Sequence, residues 1–271
     1  QEYLSSTPKY NLLYESFGWS IPEYIHLPLI NNEEERKPSK RAGEASFQYL
    51  LAKGYLPAPL VIYIVLLGWN PGDDREFFTI QDLIQEFDIK RINKSKARFT
   101  PAKLDWLNSQ HIRALPPEKF SELAQPFYPA QAVETLDVEK INALIQPRLI
   151  RLTGIPEMID FLLNLPDFEL ELFVHAKSKS TLESSLFVLE NVTPILSQQA
   201  DWSNLALQGT VKACAQAQEL KTGTVRWAVR IAISGLAMTP GGATEIAEIL
   251  GREETLRRIQ LATTRLKQAV Q

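Results

Sequence analysis

Apolar positions recur at helical spacing along most of this 271-residue chain, and the spacing predicts helices almost throughout. Pro8 opens a helix over 8–19 with Leu12, Leu13 and Phe17 on its apolar face and Gly18 at its end. The short apolar run Tyr24 to Ile30 reads as a buried strand, which needs partners this helix–strand pair does not supply. Phe47, Leu50 and Leu51 predict a helix that stops at Gly54, and Pro57 to Trp69 reads as a buried core helix. Thr79-Ile80-Gln81-Asp82 has the form of a capping box ahead of Ile80, Leu83, Ile84 and Phe87. Thr100-Pro101 is a cap followed by proline at the first helical position, starting a helix that carries Leu104 and Leu107.

From about 116 onward the pattern is helical only. One stripe is Phe120, Leu123, Ala124 and Phe127, and the next is Val138, Ile141, Leu144 and Ile145. Leu182, Leu186 and Leu189 follow, then a segment opened by Ser203, a helix from Thr224 to Ser234 ended by Gly235, and a last helix from Glu253 to about Lys267. Trp106, Trp202 and Trp227 fall on apolar faces and are expected in cores, and His26 is expected to be a satisfied core or edge histidine.

Composition narrows the classes. Hydrophobic residues at 45% supply ordinary cores, and the length suggests about two domains. A net charge of −3 leaves nucleic-acid contact to local patches rather than an overall basic field. One cysteine, Cys214, excludes an intramolecular disulfide, and three scattered histidines (His26, His111, His175) do not make a zinc site. The longest apolar run is too short for a membrane span. Beginning at Gln1 with no signal-peptide pattern, the chain reads as a piece of something longer.

Two local patches carry charge. Lys37-Pro38-Ser39-Lys40-Arg41 closes a polar loop that follows the apolar run 25–30, and reads either as a solvated loop or as a cationic tip for polyphosphate. Between two predicted helices, Lys90 to Arg98 holds five cations in nine residues. It is either a solvated connector or a set of backbone-phosphate contacts.

The residues in order resemble the C-terminal part of a bacterial-type glutamyl-tRNA synthetase, a class I aminoacyl-tRNA synthetase. The resemblance runs through Leu4-Ser5-Ser6-Thr7-Pro8-Lys9, Phe17-Gly18-Trp19, His26-Leu27-Pro28-Leu29-Ile30, Gly54-Tyr55-Leu56-Pro57 and Leu66-Leu67-Gly68-Trp69. It continues in Lys103-Leu104-Asp105-Trp106-Leu107-Asn108, Gly223 to Gly235, Thr239-Pro240-Gly241 and Glu245 to Gly251. It implies a mostly α fold: the edge of a Rossmann-like catalytic domain (1–41, a helix and a strand), a helical stem-contact domain (42–130), and an all-helical anticodon-binding domain of two bundles (131–200 and 201–271).

It also implies a reaction, in which ATP and glutamate give glutamyl-adenylate and the glutamyl group passes to the tRNA 3′ end. Lys37, Ser39, Lys40 and Arg41 match the family's KMSKS-type ATP loop, with Lys40 as the catalytic phosphate contact. Arg230, Thr239 and Pro240 match its anticodon contacts, and Arg91, Lys94, Lys96 and Arg98 are candidates for the tRNA backbone. The implied partners are glutamate tRNA, with glutamine tRNA as a second candidate, and ATP with Mg2+ and L-glutamate in the full enzyme. The implied protein is a monomer without structural metal, cytoplasmic in a bacterium, with an organelle stroma or matrix also compatible.

The chain departs from the family pattern at Pro38, at Ala42, in the acidic run Glu33-Glu34-Glu35, at Ile62 and at Gly242-Ala243. The half with the HIGH-type signature is absent, so the chain alone is expected not to form adenylate. Two other readings stand beside a ligase part: a non-catalytic tRNA-binding module derived from such an enzyme, and a helical scaffold without an RNA partner.

Overall fold

The computed structural model describes residues 3–31 and 46–270. They form two compact units, one of residues up to Leu115 together with Ile150–Thr153, the other of Pro116–Leu149 and Gly154 onward. The fold is mostly helical, with one two-stranded parallel sheet.

In the first unit, α1 (Thr7–Ser16) has proline in its first turn, and the chain leaves it through Gly18 at φ +68°. The 24–30 segment is not the buried strand its apolar run predicts. Only β1 (Ile30–Asn31) is paired, and Tyr24, Ile25, Leu27 and Ile30 are exposed. Apolar content alone does not make a buried strand, because burial requires a covering layer. His26 does find a partner, with its Nε2 3.3 Å from the Thr7 hydroxyl.

Helix α2 (Phe47–Ala52) is capped by Ser46, whose hydroxyl accepts the Tyr49 N–H. It turns at Gly54, where φ is +81° and an added Cβ would lie 2.5 Å from the Thr153 nitrogen. Glycine is therefore required twice over, by conformation and by the close approach of the returning 150–153 strap. That strap is held by Leu152 N–H to Gly54 O and by Thr153 Oγ1 to Lys53 O.

Helices α3 (Pro57–Gly68) and α4 (Ile80–Glu86) follow. Thr79 and Asp82 form the expected reciprocal capping box. After β2 (Ala97–Arg98), α5 (Pro101–Ala114) packs on α3. Thr100 precedes that proline as predicted but its side chain does not cap; its N–H goes instead to the Tyr63 hydroxyl. The core joins Leu60, Ile62, Tyr63, Trp69, Phe78, Leu83, Leu104 and Leu107. Asn108 is buried within it, accepting from Leu56 N–H and donating to Ile150 O. The predicted α5 pair Leu104 and Leu107 is buried, but α3, expected to be a buried helix, leaves Val61 and Ile64 exposed, and Ile84 and Phe87 of the α4 stripe also face outward. Trp106, expected in the core, is 40% exposed.

The second unit holds α6 (Pro117–Ala124), α7 (Ala130–Thr135), α8 (Val138–Ile145), α9 (Ile155–Leu163), α10 (Leu182–Gln198), α11 (Asn204–Ala217), α12 (Thr222–Ser234) and α13 (Ala243–Val270). Ser203 caps α11 through its hydroxyl, as its position predicts. Gly235 ends α12 in the left-handed conformation that a helix C-terminus favours. The last helix starts ten residues earlier than predicted, because two helices run together across Gly251, whose φ of 75° and ψ of 172° are not helical. Trp202 and Trp227 are half-buried, their indole N–H groups donating to Ala247 O and Leu172 O.

The largest fully buried side chain among the described residues is Arg258, 1% exposed. Its Nη1 donates to Phe161 O at 2.6 Å and Ile233 O at 2.7 Å, its Nη2 to Leu162 O at 2.9 Å, and its Nε to Glu254 at 2.6 Å. A helix leaves its last carbonyls without intrahelical donors, and this guanidinium supplies donors near the C-termini of both α9 and α12.

Arg258→Ala should therefore strand three carbonyls and leave Glu254 to Arg257 alone, lowering stability by about 3–5 kcal/mol in urea unfolding of the chain. A second expectation concerns pH. The His111 Nε2 is buried without a partner among the described residues, its ring lies 4.7 Å from that of Phe77, and burial lowers its pKa from 6.5. The unfolded chain then binds a proton below about pH 6.5 that the folded chain refuses, so stability falls as pH drops through that value toward the folded pKa. His111→Gln should flatten this part of the pH dependence relative to the parent chain in melts at matched pH values.

Candidate nucleic-acid interface

The Lys37, Ser39, Lys40 and Arg41 cluster lies outside the described residues. The structure does describe its approach. Ile30 and Asn31 pair in parallel with Ala97 and Arg98, and the Phe99 N–H donates to Asn31 O at 2.8 Å. The chain thus enters the 32–45 segment beside the end of the 90–98 cationic stretch.

That stretch is more structured than a connector between helices. Residues Ile89–Arg91 form a 3-10 turn, and Asn93 N–H bonds back to Gly68 O. Arg91 is committed locally, its Nη1 donating to Pro71 O. Arg98 stands exposed on β2. Lys94 and Lys96 are exposed, and among the described residues neither holds a carboxylate. The segment presents cations along one ordered strip, which suits phosphates in the manner of point charges.

In the second unit Arg230, Thr239 and Pro240 come together around the turn between α12 and α13. Arg230 reaches forward, and its Nη2 donates to Ala237 O at 2.9 Å. Its guanidinium sits 4.5 Å from the Trp227 ring centroid. Its Nε–H is buried and has no acceptor among the described residues, and burial pushes its pKa below the ordinary arginine value. Arginine remains a cation regardless, so this is a desolvated charge with an unused donor.

The turn itself is tied by Thr239 Oγ1 to Gly241 O at 2.6 Å and by Gly242 N–H to Glu245 Oε2 at 2.6 Å. Gly241 is forced by close packing: a Cβ there would fall 2.2 Å from the Leu144 Cδ1 of α8. Pro240 is buried, which fixes the turn rather than offering a surface. At its tip Met238, one residue after the Ala237 carbonyl that Arg230 holds, is 87% exposed, a soft apolar side chain.

Two features here were not foreseen from the sequence. Met238 carried no pattern. Trp227 was read only as core, although its i, i+3 spacing to Arg230 on one helical face is the signal for such a pair. The His175 ring stacks on the same indole at 3.8 Å and 6°, from a hairpin 52 residues away in sequence, and no local signal announces it. Arg91, Lys94, Lys96 and Arg98 belong to one compact unit, and Arg230, Thr239 and Pro240 to the other.

Known proteins place this arrangement. Residues 1–106 match the model for the catalytic domain of class I tRNA synthetases (E and Q), and residues 119–263 match the model for an anticodon binding domain. A glutamate–tRNA ligase of Clostridium botulinum is 47% identical over 98% of this chain and 55% of its own length. One from Clostridium tetani is 46% identical over 99% of this chain and 55% of its own. The chain spans about half the length of the curated relatives it matches. Among solved structures, a glutamate tRNA ligase of Elizabethkingia meningosepticum aligns over 98% of this chain and 56% of its own, with TM-score 0.79 and 26% identity. That of Elizabethkingia anophelis aligns with TM-score 0.76 and 25% identity, over 97% of this chain and 55% of its own. With a catalytic-domain match followed by an anticodon-binding match, and near end-to-end identity of this order, the chain belongs to the glutamate–tRNA ligase family of class I aminoacyl-tRNA synthetases.

Proposed function

We propose that this chain is the C-terminal part of a glutamate–tRNA ligase that activates glutamate with ATP, Mg2+ accompanying the nucleotide as substrate, and transfers the glutamyl group to the 3′ end of glutamate tRNA. The proposed working segments are the ATP-loop end of the catalytic domain over 1–41, a stem-contact segment over 42–130, and two anticodon-binding bundles over 131–200 and 201–271. The protein acts as a cytoplasmic monomer, and glutamine tRNA is a further candidate substrate. Activation requires a catalytic half with the HIGH-type signature, so this part alone forms no adenylate.

The observation that carries the reading is the Arg230 donor. A buried N–H without an acceptor costs about 1–3 kcal/mol, and the Nε–H of Arg230 is left in that state beside the Thr239–Gly242 turn. An unstacked anticodon base brings acceptors on its edge and a π-face, which suits a guanidinium fork with a neighbouring exposed thioether. Thr239 and Pro240 hold the turn that aims this group. Arg91, Lys94, Lys96 and Arg98 take backbone phosphates, positioning the tRNA without reading it. In the loop, Lys40 contacts the reacting phosphates with Lys37, Ser39 and Arg41 around it, countering charge as pyrophosphate departs.

Two outcomes follow in the full-length protein. Lys40→Ala should slow ATP–pyrophosphate exchange about 100-fold or more while leaving tRNA affinity unchanged, and an unaltered exchange rate would remove Lys40 from the site. Arg230→Gln should weaken binding of the glutamate tRNA by about 1–3 kcal/mol but hardly affect a transcript with a replaced anticodon. An equal loss on both transcripts would reassign Arg230 to non-specific contact.

A further inference from the structure

The His175–Ser180 turn packs on the start of α12. Residues 175 and 180 form an antiparallel bridge, with His175 N–H to Ser180 O at 3.1 Å and Ser180 N–H to His175 O at 3.2 Å. Lys177 and Lys179 project from the turn between them, both exposed. Lys179 sits at φ +52°, the left-handed region that glycine or asparagine enters with less cost. The left-handed residue closes the turn, with Lys179 N–H on Ala176 O at 3.1 Å.

The turn is anchored on α12 at two points. Thr224 Oγ1 donates to Ser178 O at 2.6 Å, and the His175 ring lies on the Trp227 indole that also carries Arg230. The His175 ring is itself fixed, its Nδ1 accepting the Ser178 N–H at 3.2 Å. From α12 and its cap come Lys221 and Arg226, both exposed, with Arg226 one helical turn before Arg230.

The cations of this unit divide into paired and unpaired ones. Lys119, Lys140, Arg257, Arg258, Arg265 and Lys267 each hold a carboxylate within 4.0 Å. Lys177, Lys179, Lys221 and Arg226 hold none among the described residues. Arg148, Lys212 and Arg252 also hold no carboxylate among the described residues. The carboxylates nearest in sequence are Glu171, Glu183 and Glu219; Glu183 takes a hydrogen bond from Thr181 at the start of α10 and is held below its usual pKa by it. Four cations without a carboxylate, two on the anchored 175–180 turn and two at the start of α12, lead to a half-buried arginine on a stacked indole and match the sugar-phosphate backbone of a single-stranded RNA loop.

We propose that the 175–180 turn and the first two turns of α12 form a phosphate-binding track for RNA, in which Lys177, Lys179, Lys221 and Arg226 hold the backbone of the strand whose base meets Arg230. This deepens the tRNA-binding reading and rests on it. The track supplies affinity and alignment, with no base contact of its own.

The test is fluorescence anisotropy of a glutamate tRNA transcript with the full-length protein across a KCl series. Lys177→Gln/Lys179→Gln should reduce the slope of log Kd against log salt by about 1.4, two single-strand contacts at about 0.7 each. The affinity loss should be equal for a transcript with a replaced anticodon. Lys179→Gly adds an independent signature: relieving the left-handed residue should raise the melting temperature while the slope falls by about 0.7. Slopes unchanged in both variants, with the parent protein still binding tRNA, would overturn the track and leave the tRNA-binding reading intact. Absence of tRNA binding by the parent protein would overturn both.

Discussion

The second unit depends on one buried guanidinium. Arg258 leaves water for a site where its Nη atoms serve Phe161 O, Leu162 O and Ile233 O and its Nε meets Glu254. Burying a charge is expensive unless its hydrogen bonds and counter-charge are both supplied, and here both are. The hydrogen bond from Arg257 and that from Arg258 hold the Glu254 carboxyl down to about 2, so the counter-charge persists across any ordinary pH. The effect reaches the site by covalent proximity. Ile233 lies three residues after Arg230, so pinning the end of α12 also sets the direction from which Arg230 meets the following turn.

Close packing finishes what that anchor starts. At Gly235 the left-handed backbone meets Phe168 and Pro166, and an added Cβ would lie 2.9 Å from the Phe168 ring. At Gly241 it would fall on Leu144. The turn from α12 to α13 is therefore clamped at both ends by glycines without room for a side chain, with Thr239 and Glu245 satisfying backbone groups between them. Such a turn holds its shape before any ligand arrives, so less conformational entropy is lost on binding.

What was legible in the sequence was local. The Thr79–Asp82 box, the Ser203 cap and the Gly235 stop were readable because each rests on hydrogen bonds or φ values within a few residues. Tyr24 to Ile30 departs from the buried strand its pattern predicts because a strand is made by its neighbours: of that run only Ile30 pairs, and Tyr24, Ile25, Leu27 and Ile30 stay exposed. The pairing of Asn31 with Arg98 spans 67 residues and leaves no periodic trace. Arg258 was invisible for a different reason. In the run Arg257-Arg258 one guanidinium is exposed and the next is buried, and nothing but the tertiary packing of α9 and α12 distinguishes them. Arg230, Thr239 and Pro240 were located by resemblance; that they share one turn is a matter of geometry, which no spacing rule supplied.

The cations of this chain fall into two electrostatic regimes, and the difference bears on what each can do. Arg230 is partly desolvated, rests on an indole and retains one unused donor, so a mismatched partner would leave that donor stranded in a low-dielectric site. Discrimination arises where an unmet hydrogen bond is costly. Lys94, Lys96, Lys177 and Lys179 remain in water, where a misplaced phosphate costs little and salt screens the attraction. Such groups draw in and align an anionic chain but barely distinguish one sequence from another. On α12 the two kinds of cation stand one turn apart, Arg226 in water and Arg230 half-buried on its indole, so under the proposed RNA contact alignment and discrimination would share one rigid element.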